Sequence, residues 1–193
     1  NSMNMFEIGH SLARQFGPEQ WTLYKGRHLL SFLDNHDVDR IASKLTNPDH
    51  LRPAWAMAFG MPGVPAVYYG SEWGMKGAKG RGSDAELRPA LERPEWNDLT
   101  TWISKLAEAK KGSKALCYGA YRNVVLTNKQ MIFERACDGE RVLVAINADS
   151  SPYTAHFDAG CGLAVDLISG EKHDFGGGSE LPPYSAFFWK CER

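Results

Sequence analysis

The sequence predicts an α/β segment followed by an all-β segment, and three observations predict it. Helix-period stretches alternate with short apolar runs through residues 1–112. Beyond Gly112 the helical period disappears, and brief runs rich in Val, Tyr, Phe and Ile are separated by turn residues. The 193 residues allow one or two compact domains but fall short of the about 250 that a complete (β/α)8 barrel takes. We place the domain boundary at Gly112-Ser113, giving segments 1–112 and 113–193.

In the first segment Met5, Ile8, Leu12 and Phe16 recur at helical spacing, and Gly17-Pro18 supplies a stop. His28-Leu29-Leu30-Ser31-Phe32-Leu33 is too short for a helix and suits a strand buried on both faces of a parallel sheet. Asn47-Pro48-Asp49 announces a second helix, an N-cap followed by proline at the first helical position. Its apolar face is Leu51, Trp55, Ala58 and Phe59, and Gly60, Pro62 and Gly63 end it. Val64-Pro65-Ala66-Val67-Tyr68-Tyr69 reads as a second strand, and a glycine-rich loop from Gly70 to Gly82 follows. Leu99, Trp102, Ile103 and Leu106 define a third helix, with Lys110 and Lys111 where the dipole favours cations and Gly112 closing it. Helix–strand–helix–strand–helix is the grammar of parallel βα units.

The second segment offers six strands: Tyr121–Leu126, Met131–Arg135, Arg141–Ile146, Tyr153–Phe157, Leu163–Ile168 and Ser185–Trp189. Turns lie between them at Asp138-Gly139, Asp149-Ser150-Ser151-Pro152 and Gly176-Gly177-Gly178. So many short strands suggest a small antiparallel sandwich. The cysteines at 117, 137, 161 and 191 contain no CxxC pair, which argues against a zinc ribbon or thioredoxin-like site. They read as small buried hydrophobes, with two disulfides as the competing reading.

Charge excludes some partners. Lys+Arg is 22 against Asp+Glu 23, a balance that offers no footprint for nucleic acid or an anionic membrane. The longest apolar runs are well below the roughly 18 residues of a spanning helix. Localisation is left open.

Chemistry concentrates in Phe32-Leu33-Asp34-Asn35-His36-Asp37-Val38-Asp39-Arg40, where titratable groups crowd the end of an apolar strand. Parallel α/β architectures build their sites at such carboxyl ends. On spacing alone the competing reading is a loop of caps and turns neutralised by Arg40, and a metal site is a weaker third.

The segment Phe32-Leu33-Asp34-Asn35-His36-Asp37, with Arg40 after it, resembles the fourth conserved region of the α-amylase family of glycoside hydrolases, at the end of the seventh barrel strand. Gly63-Val64-Pro65-Ala66-Val67-Tyr68-Tyr69-Gly70-Ser71-Glu72-Trp73-Gly74 is similar to the eighth strand and its loop. Arg88-Pro89, after Asp84, resembles a loop beyond that strand, and the tail resembles the family's C-terminal β-sandwich. The resemblance implies the last two βα units of a (β/α)8 barrel followed by that sandwich. It implies that Asp37 is the third catalytic carboxylate, stabilising the transition state, with His36 bonding a hydroxyl of the same sugar. Asn35, Arg40, Trp73 and Tyr69 complete the substrate-binding candidates. Asn35 has a competing role as a turn-former, Arg40 as a brace of the loop, and the two aromatics as core.

Nothing in the sequence resembles the blocks carrying the family's nucleophile and general acid, so the chain is expected to be the C-terminal portion of a longer retaining enzyme and inactive alone. The brevity of the tail leans toward cyclomaltodextrinase- or neopullulanase-like members. The alternatives are a glucan transferase or branching enzyme, or a non-catalytic carbohydrate-binding module. The implied partner is an α-glucan or maltooligosaccharide. No cofactor is implied within these residues, although calcium could bind a longer parent. Two barrel strands alone leave apolar side chains uncovered, so the chain is also expected to self-associate.

Overall fold

A computed structural model describes residues 4–80 and 83–192. The element order is α1 (Met5–Phe16), β1 (Leu30–Phe32), α2 (Ile41–Lys44), a 3-10 turn at Pro48–His50 running into α3 (Leu51–Gly60), β2 (Val64–Ala66), a 3-10 turn at Ser71–Trp73, α4 (Asp98–Lys111) and α5 (Lys114–Tyr118). The strands β3 (Ala120–Leu126), β4 (Gln130–Cys137), β5 (Glu140–Asn147), β6 (Tyr153–Ala155), β7 (Leu163–Asp166), β8 (Lys172–Asp174), β9 (Ser179–Leu181) and β10 (Ala186–Cys191) follow.

Local chemistry explains the helix starts. Asn4 accepts the Glu7 N–H, and Asn97 and Thr100 form a reciprocal capping box at the head of α4. Helical structure does not end at Gly112 as the periodicity suggests. Ser113 accepts the Leu116 N–H and restarts the chain as α5, five residues and too short to show a period. The two strands β8 and β9 also lay outside the sequence expectation. Lys172-His173-Asp174 and Ser179-Glu180-Leu181 carry too few β-branched or aromatic residues to stand out.

β1 and β2 pair in parallel, Leu30 with Val64 and Phe32 with Ala66. The close approach at the head of β2 requires glycine: Gly63 has φ +109°, and a Cβ there would lie 2.5 Å from the Leu29 carbonyl oxygen. Contrary to the expectation of strands buried on both faces, Leu30 is 67% exposed, Phe32 47% and Val64 52%. The reason is geometric. A two-stranded ribbon covered by helices on one side has, among the described residues, nothing on the other.

The six-stranded sheet runs β3-β4-β5-β10-β7-β8, and β6 pairs with β9 in a separate two-stranded sheet. Both faces of the large sheet are covered, and the period of two sorts its side chains. Phe133, Val142, Val144, Ile146 and Phe188 face α1, α3 and α4 in a core shared with Trp55, Phe59, Ile103 and Leu106. Ile132, Leu143, Ala145 and Trp189 face the smaller sheet with Ala155 and Leu181. Hence the uninterrupted Val142–Ile146 run, fully buried throughout. The helix-facing core draws on residues either side of Gly112.

Buried cations pin the end of α3, and with it the start of β2. Lys110 Nζ donates to the carbonyls of Phe59, Met61 and Leu116 at 3.0–3.1 Å, and Arg135 Nη1 donates to that of Gly60 at 2.8 Å. These satisfy carbonyls that the ends of α3 and α5 leave unpaired. Burial, with the Arg135 charge second, pushes the Lys110 ammonium down to about 8. On the same sheet Glu134 is gripped by Arg122 and Arg141. Burial pushes its carboxyl up, but hydrogen bonds from the two guanidiniums outweigh that and hold it below the usual value. Its stabilising contribution is therefore complete above the unfolded-state value and is lost as pH falls through the depressed folded value. Acid titration of unfolding midpoints is expected to show a steeper loss below about pH 4.5 in the parent than in Glu134→Gln. Identical slopes would remove Glu134 from the account.

Candidate active site

Because β1 and β2 are parallel, the loops that follow them leave from the same edge, and the titratable cluster sits there. The loop after β1 is folded by its own side chains. Asn35 Oδ1 accepts the Asp37 N–H at 2.8 Å, an Asx turn. Asp34 is 1% exposed; its Oδ2 accepts the Ile41 N–H at 2.7 Å and caps α2, and both its oxygens lie 2.8 Å from the Ser71 hydroxyl.

Arg40 joins the two loops. Its Nη1 donates to the Tyr69 carbonyl at 2.6 Å and to Ser71 Oγ at 3.1 Å, and its Nη2 donates to the Leu87 carbonyl at 2.8 Å. The guanidinium lies 4.2 Å from the Tyr68 ring centroid and 5.2 Å from that of Tyr69. Burial, followed by the Tyr69 hydroxyl, pushes the Tyr68 phenol above its usual value. Arg40 is 0% exposed, which corrects its place among the substrate-binding candidates: a side chain with no accessible surface and three acceptors braces the loops and has no face for a sugar. Asn35 is likewise occupied in the turn.

Asp37 is different. Its side chain is 58% exposed, with His36 Nε2 at 3.2 Å from Oδ2 and Arg88 Nη2 at 3.2 Å from Oδ1. Arg88 also reaches Asp84 Oδ2 at 3.4 Å and the His36 carbonyl at 3.4 Å. Lys79 Nζ donates to the Asp37 carbonyl at 3.2 Å, and the Lys79 N–H donates to Asp39 Oδ1 at 2.6 Å. A carboxylate offers about four acceptor positions. Two are taken by side chains, and the rest open outward beside a half-exposed imidazole and a guanidinium.

Tyr69 is 39% exposed on the same rim, its hydroxyl donating to the Pro89 carbonyl at 2.9 Å. Trp73 is half-buried in the turn Ser71–Trp73, where its carbonyl accepts from Asn97 Nδ2 at 3.0 Å. The residues that sequence reasoning underweighted are Arg88, Lys79 and Tyr68. Arg88 had a signal, since Asp84 and Arg88 stand four apart as helix-type ion pairs do. Lys79 had none. Among the described residues no group of three or more His, Cys, Asp or Glu is arranged to hold a metal ion.

The chain is 32% identical over 152 residues to a cyclomaltodextrin glucanotransferase of Bacillus sp. (strain 38-2), covering 77% of this chain and 20% of that protein. It is 33% identical over 152 residues to an α-amylase of Niallia circulans, covering 78% of this chain and 27% of that protein. The chain thus spans about a fifth to a quarter of the length of these curated relatives. Among solved structures it superimposes on the α-amylase from Geobacillus thermoleovorans complexed with acarbose (TM-score 0.78, 21% identity, 97% of this chain and 42% of that one). It also matches the gamma-CGTase from alkalophilic Bacillus clarkii (TM-score 0.76, 24% identity, 99% and 29%), and these two likenesses speak for the fold. Residues 9–132 match the family described as Alpha amylase, catalytic domain, and the chain belongs to that family.

Proposed function

We propose that this chain supplies the last two βα units of the catalytic barrel, residues 1–112, and the following β-sandwich, residues 113–193, of a retaining enzyme acting on α-glucans. The observation that carries this reading is the exposed Asp37 carboxylate at the carboxyl end of a parallel strand, held by His36 and Arg88. Asp37 accepts hydrogen bonds from ring hydroxyls of the sugar at the cleaved bond. Those bonds strengthen as the ring flattens toward an oxocarbenium ion, which lowers the barrier instead of merely tightening binding. Since Arg88 and His36 hold the carboxylate beforehand, little reorganisation is needed when charge develops. His36 bonds a neighbouring hydroxyl, and Tyr69 and Trp73 offer apolar faces at the rim.

A retaining mechanism further requires a nucleophile and an acid/base carboxyl about 5–5.5 Å apart. In this proposal both come from barrel strands outside these 193 residues. The chain alone is therefore expected to release no reducing ends from maltooligosaccharide or cyclodextrin. Measurable turnover would show that the required carboxylates are already here. Cofactor independence of these residues, and the absence of nucleic-acid and membrane partners, belong to the same proposal. The glucanotransferase relatives favour a second reading, transfer to a sugar acceptor in place of water, which differs from hydrolysis only in what reaches the intermediate. Product analysis of the whole enzyme separates the two.

Uncovered apolar side chains add a proposal about association. Leu30, Phe32 and Val64 on the ribbon, Val67 and Tyr69 just after β2, and Trp21 at 65% with Leu23 at 56% leave apolar area that a second surface gains by covering. Light scattering of the chain is expected to show oligomers, and a monodisperse monomer at high concentration would contradict this.

A further inference from the structure

The end of β10 and the loop entering β7 bring two thiols together, away from the site described above. Cys191 is the last residue of β10 and pairs with Ala164 across the sheet, and the Glu192 N–H donates to the Leu163 carbonyl at 2.9 Å. Extended one step, that register sets Leu163 beside Glu192, and Cys161 stands two residues earlier in the loop that enters β7. Arg141 ties the same corner. Its Nη1 donates to the Ala159 carbonyl and lies 3.6 Å from Cys191 Sγ, and it lies 3.2 Å from where a Cβ on Gly160 would stand. Cys161 and Cys191 pack against one core, both half-buried, and the Cys161 thiol is a neighbour of the Cys191 thiol. Cys117 packs elsewhere, its thiol donating to the Lys110 carbonyl at 3.1 Å.

We propose that Cys161 and Cys191 are a redox-active pair that closes to an intramolecular disulfide on reaction with a low-molecular-weight disulfide, stapling the central strand β10 to the entry of β7. The exchange balances in two steps. The Cys161 thiolate attacks one sulfur of the disulfide RSSR, forming a Cys161–SR mixed disulfide and expelling RS⁻, which takes up the proton Cys161 lost. Cys191 then releases its proton and attacks Cys161 Sγ, and the second RS⁻ leaves as RSH. Two thiols are oxidised by two electrons, and RSSR is reduced to two RSH.

The order of attack follows from the surroundings. Burial, then the neighbouring Cys161 thiol, pushes the Cys191 thiol up to about 12, so it is the poorer first nucleophile. Once the mixed disulfide stands beside it, proximity replaces acidity, and the Arg141 guanidinium lies where it offsets the charge on Cys191. The bridge closes a loop of about 30 residues around the β7–β8 hairpin, β9 and most of β10, and loops of that length gain substantially from cross-linking.

The test treats the chain with glutathione disulfide, quenches in acid, and maps peptides by mass. The expected product has lost two hydrogens, carries a single Cys161–Cys191 cross-link, and melts about 10 °C higher than the reduced chain. The same treatment in guanidinium is expected to scramble all four cysteines, showing that the fold selects the pair. Cys191→Ser is expected to trap glutathione on Cys161, whereas Cys161→Ser leaves Cys191 reacting roughly tenfold more slowly or worse. If either variant fails to fold, the map of the parent decides alone. A cross-link elsewhere, intermolecular bridges only, or four titratable thiols after exhaustive treatment would overturn the proposal.

Discussion

Asp37→Asn, made in the whole enzyme, is expected to lower kcat/KM roughly 10³-fold or more, about 4 kcal/mol of transition-state stabilisation. The substitution preserves shape and one acceptor oxygen but removes the negative charge. That charge is what an oxocarbenium-like ring gains from, so kcat is expected to fall far more than KM rises. Stability is a separate matter. With Asp37 58% exposed and its ion pairs at the surface, the same change in this chain should alter unfolding free energy by well under about 1 kcal/mol. An unchanged rate in the whole enzyme would remove Asp37 from catalysis. A large loss of stability would mean that it is structural after all.

Three residues further on, the pattern reverses. Arg40→Ala is expected to cost about 3–5 kcal/mol of folding stability, the usual consequence of deleting one partner from a buried charged network. The deletion leaves the Tyr69 and Leu87 carbonyls without their donor and takes the guanidinium away from the buried Asp34–Ser71 pair. Against a domain stability of about 5–15 kcal/mol, that is a large share. Arg40→Lys keeps a charge but loses the fork that reaches three acceptors at once, so it should recover only part of the loss. Denaturant unfolding of the three proteins gives the order, and a loss below about 1 kcal/mol for Arg40→Ala would show that the brace is not needed.

The contrast between these neighbours shows what was legible in the sequence. Asn35, His36 and Asp37 stood out because they form a polar cluster ending an apolar run, which is local information. The cap at Asn47, the proline after it and the helix ending at Gly60 were legible for the same reason. Arg40 and Arg88 could not be sorted that way. Both are arginines near an acidic loop, yet one is sealed beneath two tyrosines and the other grips the exposed carboxylate. Apart from Asp84, their partners lie 29–52 residues away along the chain, and no periodicity encodes which loop folds over which.

By itself, then, the sequence determined the parallel βα alternation, the strand-rich tail, the strand-end position of His36 and Asp37, and the resemblance to the α-amylase family that the comparisons went on to establish. Those properties depend on residues within a few positions of one another. The tertiary structure alone decided that β10 inserts between β5 and β7, that one core spans both segments, and that Arg40 braces while Arg88 holds Asp37. It alone brought Cys161 and Cys191 to one core. Each of these is a contact between distant stretches, settled by which surfaces must be buried together and which charges must find a partner once they are.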